Sequence, residues 1–261
     1  MINRRVLAFA LALLCLPSGP AARAETDPPV IAAAADLKFA LAEIADAFKA
    51  ETGKEVTLSM GSTGNFVTQI REGAPFQMFL AADEAYVADL YRDGLTRDEG
   101  LPYAEGRVAL MVPHGSALRP DEALDNLAAM LDQGRITRFA IANPEHAPYG
   151  LRAEEALKHR GLWDKIQPHL VLGENVSQAA QFALSGNAEG GIIAYSLALA
   201  PELRAQGEFA LIPRDWHEPL VQRMVLLKGA GPVAEEFYAY MQSSRAREIM
   251  VRYGFVLPDG N

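Results

Sequence analysis

Short apolar runs alternate along this chain with amphipathic stretches whose apolar residues recur every three or four positions. Residues 30–35 form a small apolar run suited to a buried strand. Residues 37–52 come next, with Leu37, Ala40, Leu41, Ile44, Ala47 and Phe48 on one helical stripe, stopped by Gly53. The same reading makes 56–59 a strand, 66–72 a helix ended by Gly73, and 78–82 a third strand. Further along, 108–112, 139–142 and 191–193 read as strands, and 151–159 and 176–184 as helices. Residues 221–227 read as an apolar strand, and 233–253 as one long helix with Gly254 behind it. Strands joined by helical crossovers predict an α/β fold rather than a β-sandwich.

The chain carries no internal repeat, no low-complexity stretch and no Pro/Gly/Ser linker. Its length suits two α/β lobes joined by strands that cross between them, with a ligand cleft in between. The crossings are expected near 107–113 and 214–224, which divides the chain into lobe 1, 25–108 plus 218–261, and lobe 2, 109–217. Residues 1–24 stand apart: a basic head with Arg4 and Arg5, an apolar run from Val6 to Leu16, and Ala22-Arg23-Ala24 before Glu25. That pattern reads as a cleaved secretory signal peptide; the run is too short to span a bilayer, and Pro17 and Pro20 would end a helix there. Cys15, the one cysteine, lies inside it behind Leu14, so the mature chain holds no disulfide.

Half of the residues are apolar and 22% are charged, which excludes a disordered acidic chain and a multi-span membrane protein. The formal charge is −9. Losing 1–24 removes Arg4, Arg5 and Arg23 and no acid, leaving 21 basic against 33 acidic side chains, a charge of −12. Nucleic-acid backbones are held by clustered Lys and Arg, so this balance argues against such a partner. An acidic, cysteine-free, exported chain fits a periplasmic protein, either an enzyme or a solute receptor.

Catalytic patterns are weak. His114, His146, His159, His169 and His217 form no H-x-H or H-x-x-x-H pair, and neither a nucleophile elbow nor a phosphate-binding Gly-rich loop is present, so no metal and no cofactor are expected. A hydrolase built from remote residues is the rival reading. What recurs is a strand running into small polar residues that open a helix: Ala34-Ala35-Asp36, Gly61-Ser62-Thr63-Gly64-Asn65, Tyr149-Gly150 and Asn175-Val176-Ser177. Helix N-termini present unpaired N–H groups and a positive dipole end, so four of them facing one cleft would hold an anion without a cationic side chain. The plain alternative is that Asp36, Ser62, Thr63 and Asn175 only cap their helices.

These segments also carry a resemblance. Ala33-Ala34-Ala35-Asp36-Leu37, Gly61-Ser62-Thr63-Gly64 with Gln69-Ile70 and Gly73-Ala74-Pro75, and Phe79-Leu80-Ala81-Ala82-Asp83 resemble the molybdate-binding periplasmic proteins of ABC uptake systems (the ModA family). So do Asn143-Pro144-Glu145-His146-Ala147-Pro148-Tyr149-Gly150, Glu174-Asn175-Val176-Ser177-Gln178 and Arg252-Tyr253-Gly254-Phe255. The resemblance covers nearly all of the mature chain. It implies a type II periplasmic binding protein fold, two αβα lobes closing over molybdate or tungstate, and docking on a membrane permease. A monomer is expected.

The resemblance places ligand contacts on Asp36, on the Thr63 hydroxyl with Ser62 beside it, and on the backbone N–H groups of Tyr149 and Val176. Where some members use a tyrosine, this chain has Ala194, with Tyr195 one place on as a further candidate. Asp36 departs from the usual serine. A carboxylate facing a dianion in a closed cleft is unfavourable, which leaves three arrangements: Asp36 turns away to cap its own helix, it is protonated, or it accepts a proton from a protonated oxyanion. The first is expected, because Asp is common at N-caps. The third would change the substrate to a protonated oxyanion such as hydrogen phosphate; a receptor for a different tetrahedral oxyanion, phosphate or sulfate, is the alternative reading. Trp163, Trp216 and His146 are expected in structural roles, and Asp83, Glu84, Asp98 and Glu99 on solvated faces, where a carboxylate could meet a permease.

Overall fold

A computed structural model describes residues 27–258. The chain begins with β1 (Val30–Ala34), a 3-10 turn (Ala35–Leu37), α1 (Lys38–Thr52), β2 (Thr57–Gly61), α2 (Thr63–Arg71), β3 (Phe76–Ala81), α3 (Glu84–Arg92) and β4 (Leu101–Gly106). It continues with β5 (Val108–Pro113), α4 (Asp125–Asp132), β6 (Phe139–Ala142), α5 (Pro148–His159), α6 (Trp163–Ile166) and β7 (Leu170–Gly173). Then come α7 (Val176–Leu184), β8 (Gly190–Ala194), α8 (Tyr195–Leu199), α9 (Pro201–Arg204) and β9 (Gly207–Leu211). The last elements are β10 (Leu220–Leu226), α10 (Pro232–Tyr240) and α11 (Ser244–Arg252).

Two five-stranded sheets result, ordered β2-β1-β3-β10-β4 and β7-β6-β8-β5-β9. In the first, β1 runs parallel to β2 and β3 while β10 runs antiparallel to β3 and β4. The second repeats the scheme, with β6 parallel to β7 and β8 and β5 antiparallel to β8 and β9. The parallel strands follow from the helical crossovers, since such strands cannot be joined by a tight turn. The chain passes between sheets at Arg107, because Gly106 pairs with Leu220 in one sheet and Val108 with Ala194 in the other. It returns between β9 and β10.

β1 can consist of small apolar residues because both its faces are covered: Ile31 to Ala34 are all buried. α1 buries Ala40, Leu41, Ile44 and Phe48 and stops where Gly53 adopts φ 71°, a conformation open to glycine. The core of the second lobe reaches across the boundary to Ala34, Ala35 and Ala82, at the C-terminal ends of β1 and β3. Small side chains there let the lobes approach closely.

Several boundaries differ from the sequence reading. α2 begins three residues early because Ser62 caps it, accepting from the Asn65 N–H, and α5 begins at Pro148, a residue suited to the first helical position. The expected long helix 233–253 is two helices. Ser243 caps α11, accepting from the Ala246 N–H at 3.2 Å, and a new cap inside an apolar periodic stretch breaks it without disturbing the periodicity. β4, β7, β9, α3, α4 and the short helices α6, α8 and α9 were not foreseen; β4 and β9 are edge strands carrying polar residues, so neither shows as an apolar run.

Candidate functional site

The C-terminal ends of β1 and β3, and the N-termini of the 3-10 turn, α2, α5 and α7, converge between the two sheets. They line a small pocket whose walls include Ala35, Asp36, Ser62, Thr63, Tyr149 and Val176. Five of the six residues singled out from the sequence therefore share one cavity. Its lining contains no Arg or Lys, and Asp36 is its only ionisable carboxyl.

Each donor is prepared by its local structure. Thr63 is fully buried and its Oγ1 accepts from the Ala82 N–H at 3.0 Å, which leaves the hydroxyl proton free to donate elsewhere. Tyr149 and Val176 stand in the first turns of α5 and α7, where backbone N–H groups have no intrahelical acceptor. Pro148 at the start of α5 has no N–H, so the amide of Tyr149 becomes the leading donor of that helix. α7 is capped by Asn175, which accepts from Gln178 N–H at 3.0 Å, so Val176 is spared that role. Ser62 Oγ is already engaged, by the Asn65 N–H and by His146 Nδ1 at 3.0 Å.

Asp36 is buried, and its carboxyl turns toward Tyr149 and Gln222. Oδ2 accepts from the Tyr149 hydroxyl at 3.0 Å and from Gln222 Nε2 at 2.7 Å, and the same amide lies 3.1 Å from the Tyr149 oxygen. This corrects the expected capping role: the 3-10 turn that holds Asp36 has no side-chain cap. Burial pushes the Asp36 pKa up to about 7, overcoming the hydrogen bonds from Gln222 and Tyr149 that favour the ionised form. The nearby amides of Asp36 and Leu37 also lower it without reaching hydrogen-bond geometry, and Oδ1 has no hydrogen-bond partner among the described residues. Burial and the neighbouring carboxyl hold the Tyr149 phenol well above its ordinary pKa.

Tyr195 lies elsewhere. Its amide donates to Arg107 O at 2.9 Å, its ring meets Phe209 edge-on with centroids 5.6 Å apart, and it rests over Gly254. Tyr195 and Ala194 are both outside the cavity lining.

The sequence reading missed Gln222 and underrated His146. Gln222 is fully buried on β10, in step with buried Leu220 and Met224, so a polar residue on the core-facing side of an apolar strand was the available signal. His146 belongs to the second lobe but touches the first: its carbonyl accepts from the Gly64 N–H at 2.9 Å and its ring meets Ser62. A Cβ on Gly64 would lie 2.8 Å from that carbonyl, so the lobes meet here backbone to backbone. Asp83 also departs from expectation. It caps α3 and pairs across the lobes with Arg152 at 3.0 Å, and Arg152 in turn pairs with Glu155 at 2.6 Å.

Gly106 makes room for the cluster around Asp36. A Cβ there would lie 2.2 Å from the Tyr149 hydroxyl and 2.7 Å from Gln222 Nε2. Gly106→Ala is therefore expected to destabilise the protein by about 1–3 kcal/mol through overpacking. Urea unfolding that shows less than about 0.5 kcal/mol would refute this.

Comparison with known proteins agrees with this architecture. Residues 29–256 match the family model described as bacterial extracellular solute-binding protein. The chain is 35% identical over 255 residues to a protein of Rhodobacter capsulatus named molybdate-binding protein ModA, covering 97% of this chain and 96% of that protein. This chain belongs to the ModA family. Among solved structures, the periplasmic molybdate-binding protein of Azotobacter vinelandii superposes with a TM-score of 0.78 at 31% identity, over 88% of this chain and all of that one. The sulfate-binding protein SubI of Mycobacterium tuberculosis shares the fold, with a TM-score of 0.71 at 16% identity over 89% of this chain and 87% of that one. As a ModA-family member the protein is a solute-binding component of ABC transport, not an enzyme.

Proposed function

We propose that this protein captures molybdate, or tungstate, in the cavity between its lobes and delivers it to the membrane permease of an ABC transporter. The observation that carries the reading is the lining itself. The hydroxyl of Thr63 and the helix-opening amides of Tyr149 and Val176 converge on one small space that holds no cationic side chain. A tetrahedral dianion offers only acceptors, and neutral donors at helix N-termini complement it. In this reading Asp36, Thr63, Tyr149 and Val176 meet the ligand. Ser62 orders the turn and the lobe contact, and Tyr195 acts in packing.

Residues 25–108 with 218–261, and 109–217, are assigned as the two closing lobes, with Gln222 on the returning strand between them. Selectivity against sulfate rests on cavity size, since the two ions share charge and shape while Mo–O bonds are longer. The protein is read as a periplasmic monomer exported by the signal in residues 1–24, which lie outside the described part of the structure.

Calorimetric titration of the ligand-free protein with molybdate, tungstate, sulfate and phosphate tests the assignment. Saturable heat and a melting shift with molybdate and tungstate are expected, with no product formed. Heat with phosphate and none with molybdate would replace the ligand.

A further inference from the structure

A tetrahedral oxo-dianion can only accept hydrogen bonds, so every group that meets it must donate. Asp36 stands in the cavity lining, yet an ionised carboxylate has nothing to donate. Its hydrogen bonds show which oxygen is available. Tyr149 accepts from Gln222 Nε2 and therefore directs its own proton to Asp36 Oδ2, which also receives the Gln222 amide. The Gln222 amide presents its NH₂ to that carboxyl and to the phenol, its own Oε1 being buried without a partner among the described residues. With two donors on Oδ2, a proton carried by this carboxyl belongs on Oδ1, the buried atom that has no hydrogen-bond partner among the described residues.

We infer that Asp36 is protonated when the cleft holds its oxyanion and donates from Oδ1 to the ligand, so that capture of the dianion is coupled to uptake of one proton from solvent. The inference rests on the oxyanion reading above and deepens it.

The surroundings favour the neutral form. The titratable groups facing the carboxyl are Tyr149 on α5 and Tyr103 on β4, both held neutral by burial, which raises their pKa values well above the ordinary phenol range. Gln222 on β10 is neutral, and Ser196 on α8 donates to the Asp36 carbonyl at 2.8 Å. Thr63 on α2 is neutral as well. Among the described residues no Arg, Lys or His makes an ion pair or hydrogen bond with the Asp36 carboxyl. His146, at the contact between the lobes, is bonded to Ser62 and lies 3.7 Å from Glu174, and makes no contact with the Asp36 carboxyl. Burial, net of the hydrogen bonds that oppose it, already brings the Asp36 carboxyl to about 7, and a bound dianion adds negative charge beside it.

The sign follows from linkage. A ligand that binds the protonated form raises the pKa of Asp36 in the complex, so affinity is highest below the free-state pKa and falls as pH rises through it. The test is calorimetry with sodium molybdate from about pH 6 to about pH 9, in PIPES- and imidazole-type buffers of different ionisation enthalpy. The wild type is expected to take up close to one proton per molybdate at the alkaline end, with affinity falling by up to about tenfold per pH unit. Asp36→Asn keeps an acceptor for Tyr149 and Gln222 and presents an uncharged NH₂ group to the ligand; it is expected to show no proton uptake and a flat profile. Asp36→Ser serves in its place should that variant fail to fold, and His146→Asn is expected to retain the wild-type slope.

A flat wild-type profile without proton uptake would overturn the inference, as would a slope that survives in Asp36→Asn or vanishes in His146→Asn. No molybdate binding at either end of the pH range would overturn the oxyanion reading itself, and the inference with it. Binding at acid pH that weakens toward alkaline pH keeps both.

Discussion

Asp36→Asn is expected to stabilise the ligand-free protein at alkaline pH by as much as about 4 kcal/mol, and hardly at all near pH 4. The carboxyl has an ordinary pKa of 3.8 and is raised to about 7 in the fold, chiefly by burial. The folded state therefore binds the proton more tightly than the unfolded chain does. The contribution of this proton to stability is complete below the unfolded value and is lost progressively as pH rises through the folded one. A shift of about three units corresponds to about 4 kcal/mol. Asparagine carries no charge at any of these pH values and keeps an acceptor for Tyr149 and Gln222, so it escapes the loss. For a protein of this size the difference corresponds to a melting-temperature gain on the order of 10 °C at about pH 8.5. A gain that stays constant from acid to alkaline pH would show that ionisation of Asp36 is not its source.

Removing Arg152 is the other large effect. Its side chain is 8% exposed and its guanidinium joins Asp83 of the first lobe to Glu155 of the second, while Glu155 also accepts from the Glu218 N–H on the returning segment. Arg152→Met preserves much of the apolar stem but leaves two largely buried carboxylates without their cation. The expected cost is about 3 kcal/mol, because a charge left uncompensated in a poorly solvated place is worth far more than an exposed pair. Denaturant unfolding measures it. The double variant Asp83→Asn with Arg152→Met should recover part of the loss, and a cost below about 1 kcal/mol, or strict additivity of the two changes, would contradict the network. The same pair closes one lobe onto the other, so Arg152→Met is also expected to weaken ligand capture.

These effects could be anticipated unevenly from the sequence. The alternation of apolar runs with helical stripes already implied two α/β sheets, because strand and helix periodicities are local properties of the chain. The four polar junctions were visible for the same reason: caps and helix openings occupy a few consecutive residues, and Ser62, Pro148 and Asn175 announce themselves. Edge strands such as β4 and β9 escaped because Pro102, Glu105 and Gly106 in one, and Gly207 and Glu208 in the other, interrupt any apolar run. The break at Ser243 escaped because capping competes with helix propagation and packing decides the outcome.

The sequence by itself determined most of the central strands and long helices, the excess of acidic residues and the helix openings whose amides can hold an anion, since all of these are written within short windows. Only the tertiary structure decided what Asp36 does. Its partners Tyr149 and Gln222 lie 113 and 186 residues away along the chain, and burial by the closed lobes, not any neighbour in sequence, raises its pKa. The same holds for Asp83, which reads as a surface acid until Arg152 arrives from the other lobe. Charge and hydrogen-bond partnership in a buried cleft depend on distance through space and on the exclusion of water, and both are set only when the lobes come together.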